Sequence, residues 1–108
     1  MKYLGAGGLG LGGPEGSAAL AGLLAGNQVL LGLDISDSGI DDNGAADLAR
    51  GLALNQSLRY LNLSGNRLSF VSMPLIAQVL RQTCQISDLI LANNPLTSQG
   101  ARALAYGL

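Results

Sequence analysis

The 108-residue chain has no histidine, no tryptophan, one cysteine and one phenylalanine. Each shortage removes a class of function. Without histidine there is no His-based catalytic triad, and with Cys84 alone there is no zinc site of the Cys/His kind. A single cysteine permits no intrachain disulfide, which is compatible with a reducing, cytoplasmic setting. Scarce aromatics leave no platform for stacking bases. Charge is scarce too: charged residues make up 12% and the net charge is −1. Nucleic-acid binding needs a basic face that displaces counterions, and anionic membranes attract polybasic clusters. Neither partner is expected here. No run of about 18 apolar residues is long enough to span a bilayer, and the glycine-heavy start is too weakly apolar for a signal segment.

What is present is apolar and small. Apolar residues make up 48%, carried mainly by Leu and Ala, and there are 16 glycines. Such a composition argues for a packed domain, and the length has room for one. Small residues also allow repeated elements to pack backbone against backbone.

The chain repeats itself. Segments beginning at Leu30, Leu58 and Ile86 align with a period of 28 residues. Leu33, Leu61 and Leu89 share a column, as do Ile35, Leu63 and Leu91, and Ile40, Leu68 and Leu96. Further on, Leu48, Ile76 and Leu104 align, followed by Ala49, Ala77 and Ala105, then Leu52, Leu80 and Leu108. Asn66 and Asn94 share a column with Ser38. "LRYLNL" alternates with period two, so Leu58, Leu61 and Leu63 point into a core around a short strand. Parallel strands recurring every 28 residues need a crossover, and each following segment is long enough for a helix. Asp41, Ser69 and Thr97 stand where the helix N-cap belongs. Asn66 and Asn94 are expected to be buried amides that bond loop backbone where the strand turns away.

The motifs "LRYLNLSGNRL" and "ISDLILANNPL" resemble the leucine-rich repeat pattern L-x-x-L-x-L-x-x-N-x-L. The 28-residue length and the helices "GAADLARGL" and "GARALAYGL" resemble the ribonuclease-inhibitor-like class. The leucine-rich regions of NOD-like receptors and Ran GTPase-activating proteins belong to that class. The resemblance implies an α/β solenoid, a horseshoe arc of about four 28-residue repeats. Parallel strands would line its concave face and helices its convex face. It also implies a protein partner, no catalysis and no cofactor.

On this reading residues 1–29 form a degenerate first repeat, 30–57 and 58–85 two regular ones, and 86–108 a truncated last one, all in one domain. The helix of the first is "EGSAALAGLLAG", with Gly13 at the N-cap column and Pro14 at the first helical position. Upstream the match holds only with a one-residue deletion: Leu4 and Ala6 as strand, Leu9 and Leu11 as core. Met1–Gly13 is expected to be the least regular and most mobile part. No polar cap stands at either end, so self-association through the ends, or membership of a longer solenoid, is expected.

"GAGGLGLGG", Gly5–Gly13, offers a competing reading. It contains G-x-G-x-x-G twice, and Asp34 follows an apolar run, the outline of a dinucleotide-binding unit. Against that, Asp34 shares a column with Asn62 and Ile90 in a repeat that binds no phosphate. Too few strands remain for a dinucleotide domain once the repeats are assigned. Asp41 and Asp42 read as capping and solubility residues. A calcium site from Asp34, Asp37 and Asp41 has no supporting loop spacing.

Binding is expected on the variable strand positions of the concave face. These are Asp34, Ser36 and Asp37 from one repeat, Arg59, Tyr60, Asn62 and Ser64 from the next, and Asp88, Ile90 and Asn93 from the last. Tyr60, flanked by Arg59 and several acids, is the expected anchor. Gly16, Gly44 and Gly100 share a column with Ser72, where small size would let helices approach.

Overall fold

The computed structural model describes residues 3–5, 7–8, 13–83 and 86–95. Expectations placed on Ala6, Leu9, Leu11, Cys84, Leu96, Thr97, Gly100, Leu104, Ala105 and Leu108 lie outside the described residues.

Strands and helices alternate. Strand β1 is Tyr3–Gly5, helix α1 Pro14–Gly26, strand β2 Gly32–Asp34 and helix α2 Asp42–Leu54. Strand β3 is Tyr60–Asn62; a 3₁₀ turn, Phe70–Ser72, leads into helix α3, Met73–Thr83, and strand β4 is Asp88–Ile90. The sheet has order β1-β2-β3-β4 with all pairs parallel. Chain order and spatial order coincide, as stacking of equal units requires.

The middle residue of every strand is leucine: Leu4, Leu33, Leu61 and Leu89 stand in one row across the sheet. Leu33 and Leu61 are buried against the helices, with Ile35, Leu58, Leu63 and Leu68 completing the strand side of the core. Ser17, Leu20 and Leu24 face inward from α1, Ala45, Leu48, Ala49 and Leu52 from α2, and Met73, Ile76, Ala77 and Val79 from α3. The three-to-four residue spacing makes each helix a single inward stripe. A leucine taken fully from water stabilises by about 1.5–3 kcal/mol, so Leu33 and Leu61 each add substantially to a core that the helices share.

The one-residue offset upstream has a location. Tyr3 pairs with Gly32, an offset of 29, whereas α1 and α2 begin 28 apart. Gly8 still sits in the strand register: its N–H donates to the Ser36 carbonyl as that of Asp37 does to Ser64 and that of Gly65 to Ala92. The extra residue therefore lies between Gly8 and Gly13. Gly8, Asp37, Gly65 and Asn93 all have positive φ, between 51° and 74°. This turn leaves the strand at every level, and only Gly, Asn and Asp enter that region readily.

Helix starts follow the sequence. Gly13 is the N-cap of α1 with proline next, and Asp41 caps α2 by accepting from the Gly44 N–H at 3.0 Å. Ser69 accepts from the Val71 N–H, but it caps the 3₁₀ turn, and the α-helix itself begins only at Met73.

Asparagines tie successive levels together, Asn55 and Asn66 buried and Asn94 half-buried. Asn66 donates from Nδ2 to the carbonyls of Ile35 and Leu63 and accepts at Oδ1 from the N–H groups of Ser38 and Ile40. Asn94 repeats this one level on, donating to Leu63 and Leu91 and accepting from Leu68. At the other end of the helices Asn55 does the same, while Asn27, 28 residues earlier, accepts from the Val29 and Leu30 N–H groups of its own level. Asn55 donates to the carbonyls of Leu24 and Asn27 and accepts from Ser57 and Leu58. Loops that enter the core thereby keep their polar backbone groups paired.

Helices α1 and α2 touch backbone to backbone. A Cβ on Gly44 would stand 2.7 Å from Ser17 Oγ, and one on Gly51 2.6 Å from the Ala21 carbonyl oxygen. Small size at Gly44 is thus a packing requirement. Asp42 does more than face water. It accepts from the N–H and hydroxyl of Ser69 and from the hydroxyl of fully buried Ser72, joining the starts of α2 and α3. No described helix is long and apolar enough to cross a membrane.

Candidate functional site

Because side chains alternate along a strand, the residues flanking each central leucine face away from the helices. They form the open face of the sheet. One row across it reads Tyr3, Gly32, Tyr60, Asp88; the next reads Gly5, Asp34, Asn62, Ile90. All ten residues expected at the binding surface lie in β2, β3 and β4 or beside them: Asp34, Ser36, Asp37, Arg59, Tyr60, Asn62, Ser64, Asp88, Ile90 and Asn93.

Several also hold the backbone. Asp34 Oδ1 accepts from the Ser36 N–H at 2.9 Å and its hydroxyl at 2.7 Å. Asn62 Oδ1 does the same with Ser64, at 3.0 and 2.7 Å. These matching loops fix the chain as it leaves β2 and β3. The hydroxyl and N–H of Ser36 hold the Asp34 carboxyl below its ordinary value, outweighing the small effect of burial. Asp37 and Asn93 occupy the left-handed turn, and the Asp37 carboxylate leans into the space that a Cβ on Gly65 would take. The Arg59 backbone joins β4 to the sheet by accepting from the N–H groups of Ser87 and Asp88. Tyr60 is half-buried between Gly32 and Asp88.

Sequence reasoning missed Tyr3. Its ring lies over Gly32, filling the space of a Cβ there, and the residue is 68% exposed. Tyr60 thus has a second aromatic beside it on this face: Tyr3 and Tyr60 flank Gly32 on the strands to either side. The signal was the 29-residue offset, which places Tyr3 in the Tyr60 column once the extra residue is allowed for.

The glycine run is structural where it is described. Gly5 ends β1, Gly7 packs under Ser36 with Oγ 2.9 Å from a would-be Cβ, and Gly13 caps α1. The Gly8 N–H is already bonded to Ser36. A phosphate cradle needs such amides unspent. Among the described residues no group of three His, Cys, Asp or Glu is placed to hold a metal, so Asp34, Asp37 and Asp41 do not converge. A polar recess of about 370 Å³ opens on the flank, lined by Gly13, Gly39, Asp41, Asn43, Gly44, Asp47 and Arg67. Its carboxylates are engaged, Asp41 in capping and Asp47 with Arg50.

Comparison with known proteins agrees with this geometry. A family model described as Leucine Rich Repeat matches residues 57–79, and another described as Leucine Rich repeat matches residues 26–49 and 84–105. The chain is 40% identical over 76 residues to Protein NLRC5 of Mus musculus, covering 70% of this chain and 4% of that protein. It is 35% identical over 94 residues to Ribonuclease inhibitor of Sus scrofa, covering 86% of this chain and 21% of that one. The chain thus spans less than a quarter of the length of either relative. Among solved structures, a tropomodulin C-terminal domain from Caenorhabditis elegans superposes with a TM-score of 0.85 at 17% identity, covering 99% of this chain and 66% of that one. Leiomodin-1 Actin-Binding Site 2 superposes with a TM-score of 0.79 at 15% identity, covering 99% and 80%. At those identities the likeness is one of fold.

Proposed function

The chain belongs to the leucine-rich repeat family, in its ribonuclease-inhibitor-like class, and from that premise we propose that it is a protein-binding module that works through the open face of its sheet. One observation carries the reading. The inward strand position is leucine at all four levels, while the outward position beside it is Tyr3, Gly32, Tyr60 and Asp88 in turn. Repetition of the core side is what stacking demands. Stacking leaves that outward row free to differ from level to level, which gives the face the individuality a binding surface uses.

Relatives and neighbours point the same way. One related protein is a ribonuclease inhibitor, and one structural neighbour is Leiomodin-1 Actin-Binding Site 2. Each is a binding role. The module is proposed to bind without catalysis, in a reducing compartment where its single cysteine needs no partner. It is proposed to serve as part of a larger receptor, regulator or effector. Asp34, Ser36, Asp37, Arg59, Tyr60, Asn62, Ser64, Asp88, Ile90 and Asn93 are the proposed contact residues, joined by Tyr3, with Tyr60 as anchor.

The test is comparative capture. Wild-type chain and a Tyr60→Ala/Asp88→Ala variant of equal melting temperature are immobilised and exposed to the same extract. Proteins retained by the wild type and lost from the variant support the reading. An unchanged set of retained proteins removes the open face from the function.

A further inference from the structure

The open face of the sheet has a definite chemistry. Among the described residues it carries three carboxylates, Asp34, Asp37 and Asp88, against one guanidinium, Arg59. Asp34 accepts two hydrogen bonds from Ser36, which hold its carboxyl below its ordinary value. Asp37 and Asp88 are exposed. Within this acidic field stand the two tyrosines. The Tyr3 ring covers Gly32, and Tyr60 pairs with Gly32 from the other side. Asp88 is directly opposite Tyr60 on β4, and Asp34 lies two residues along β2 on the same face. Neighbouring strands are about 4.8 Å apart, so a group resting on Tyr60 is within reach of both carboxylates.

Aromatic faces attract cations, and a planar guanidinium both stacks on a ring and meets carboxylates through paired N–H donors. Phosphate is repelled by the same field. Taking the open face as the binding surface, we propose that it receives a basic segment of a protein partner, an arginine side chain lying against Tyr3 and Tyr60 above Gly32 and paired with Asp88 and Asp34. Ile90, half-buried on β4 beside Asn62, adds an apolar patch to the same face. The Ser36 loop keeps the Asp34 carboxylate fixed before the partner arrives, which lowers the ordering needed on binding.

The test selects random displayed peptides on the immobilised full chain and measures the enriched ones by fluorescence anisotropy. Enriched peptides are expected to carry arginine and to bind about tenfold more weakly to Tyr60→Ala, Tyr3→Ala and Asp34→Asn/Asp88→Asn, each with unchanged melting temperature. Tyr60→Phe keeps the ring and is expected to keep the affinity. Raising salt from about 50 to about 300 mM is expected to weaken binding several-fold. Peptides that need Tyr60 but lack basic residues overturn the charge assignment and leave the open-face reading standing. An arginine-to-lysine exchange in the peptide with no loss overturns the stacked guanidinium. Peptides indifferent to every variant, or no enrichment at all, overturn both this inference and the reading beneath it.

Discussion

Gly51 and Ala21 meet backbone to backbone: a Cβ on Gly51 would stand 2.6 Å from the Ala21 carbonyl oxygen and 2.8 Å from its Cα. Backbone cannot rotate away as a side chain can. Gly51→Ala is therefore expected to force α1 and α2 apart, at about 1–3 kcal/mol, more than the roughly 1 kcal/mol that alanine returns in helix propensity. Gly22, on α1, has nothing within 4 Å of its Cβ position. Gly22→Ala should stabilise by about 0.5–1 kcal/mol. Urea unfolding of both variants checks the opposite signs.

Asn66 serves backbone groups on two levels at once: the Ile35 carbonyl and the Ser38 and Ile40 N–H groups of one, and its own Leu63 carbonyl. Asn66→Ala leaves them unpaired in a buried loop and is expected to cost about 2–4 kcal/mol. Asn27 is seen to accept from only the Val29 and Leu30 N–H groups, nearer to water. Asn27→Ala should cost about half as much, as the two unfolding midpoints would show.

Acid should weaken the fold through Asp42. Burial raises its carboxyl, but the hydroxyls of Ser69 and Ser72 and the Ser69 N–H outweigh that and hold it below its ordinary value of 3.8. A folded-state value below the unfolded one gives stability that is complete above the unfolded value and lost as pH falls through the folded one. Asp42→Asn keeps an acceptor oxygen but does not titrate. Its urea midpoint should fall less steeply than the wild type's below about pH 4. Parallel curves would remove Asp42 from the acid response.

Nucleotides should leave the melting temperature where it is. The Gly8 N–H, one of the amides a cradle would use, is bonded to the Ser36 carbonyl. A rise of several degrees with a dinucleotide would restore the cofactor reading of Gly5–Gly13.

The core was legible because a 28-residue period states it repeatedly. Once Leu33, Leu61 and Leu89 share a column, the strand, its inward face and its parallel neighbours follow from alternation and chain length. Caps were legible for the same reason: Asp41 and Ser69 stand in one column with the right chemistry. What a period conceals is how one level leans on the next. Asp42 reads as a surface acid until α3 is placed beside α2 and its serines come within reach. Tyr3 is hidden by one extra residue upstream of α1. Asn27 and Asn55 stand 28 residues apart, but the role of Asn55 depends on where the Leu24 carbonyl points. The 3₁₀ turn before Met73 departs from the α-helical start seen at Asp42. Its Ser72, where α2 has Gly44, instead turns its hydroxyl to Asp42.

The asparagine ladder also has a direction in time. Asn55 and Asn66 each donate to carbonyls about 31 positions earlier, at Leu24 and Ile35. A chain leaving the ribosome exposes its N-terminal part first. Each loop must therefore wait for roughly one more repeat to be synthesised before its amides and carbonyls find their lasting partners. Until then water holds them, and the newest level of the growing solenoid is always the least committed.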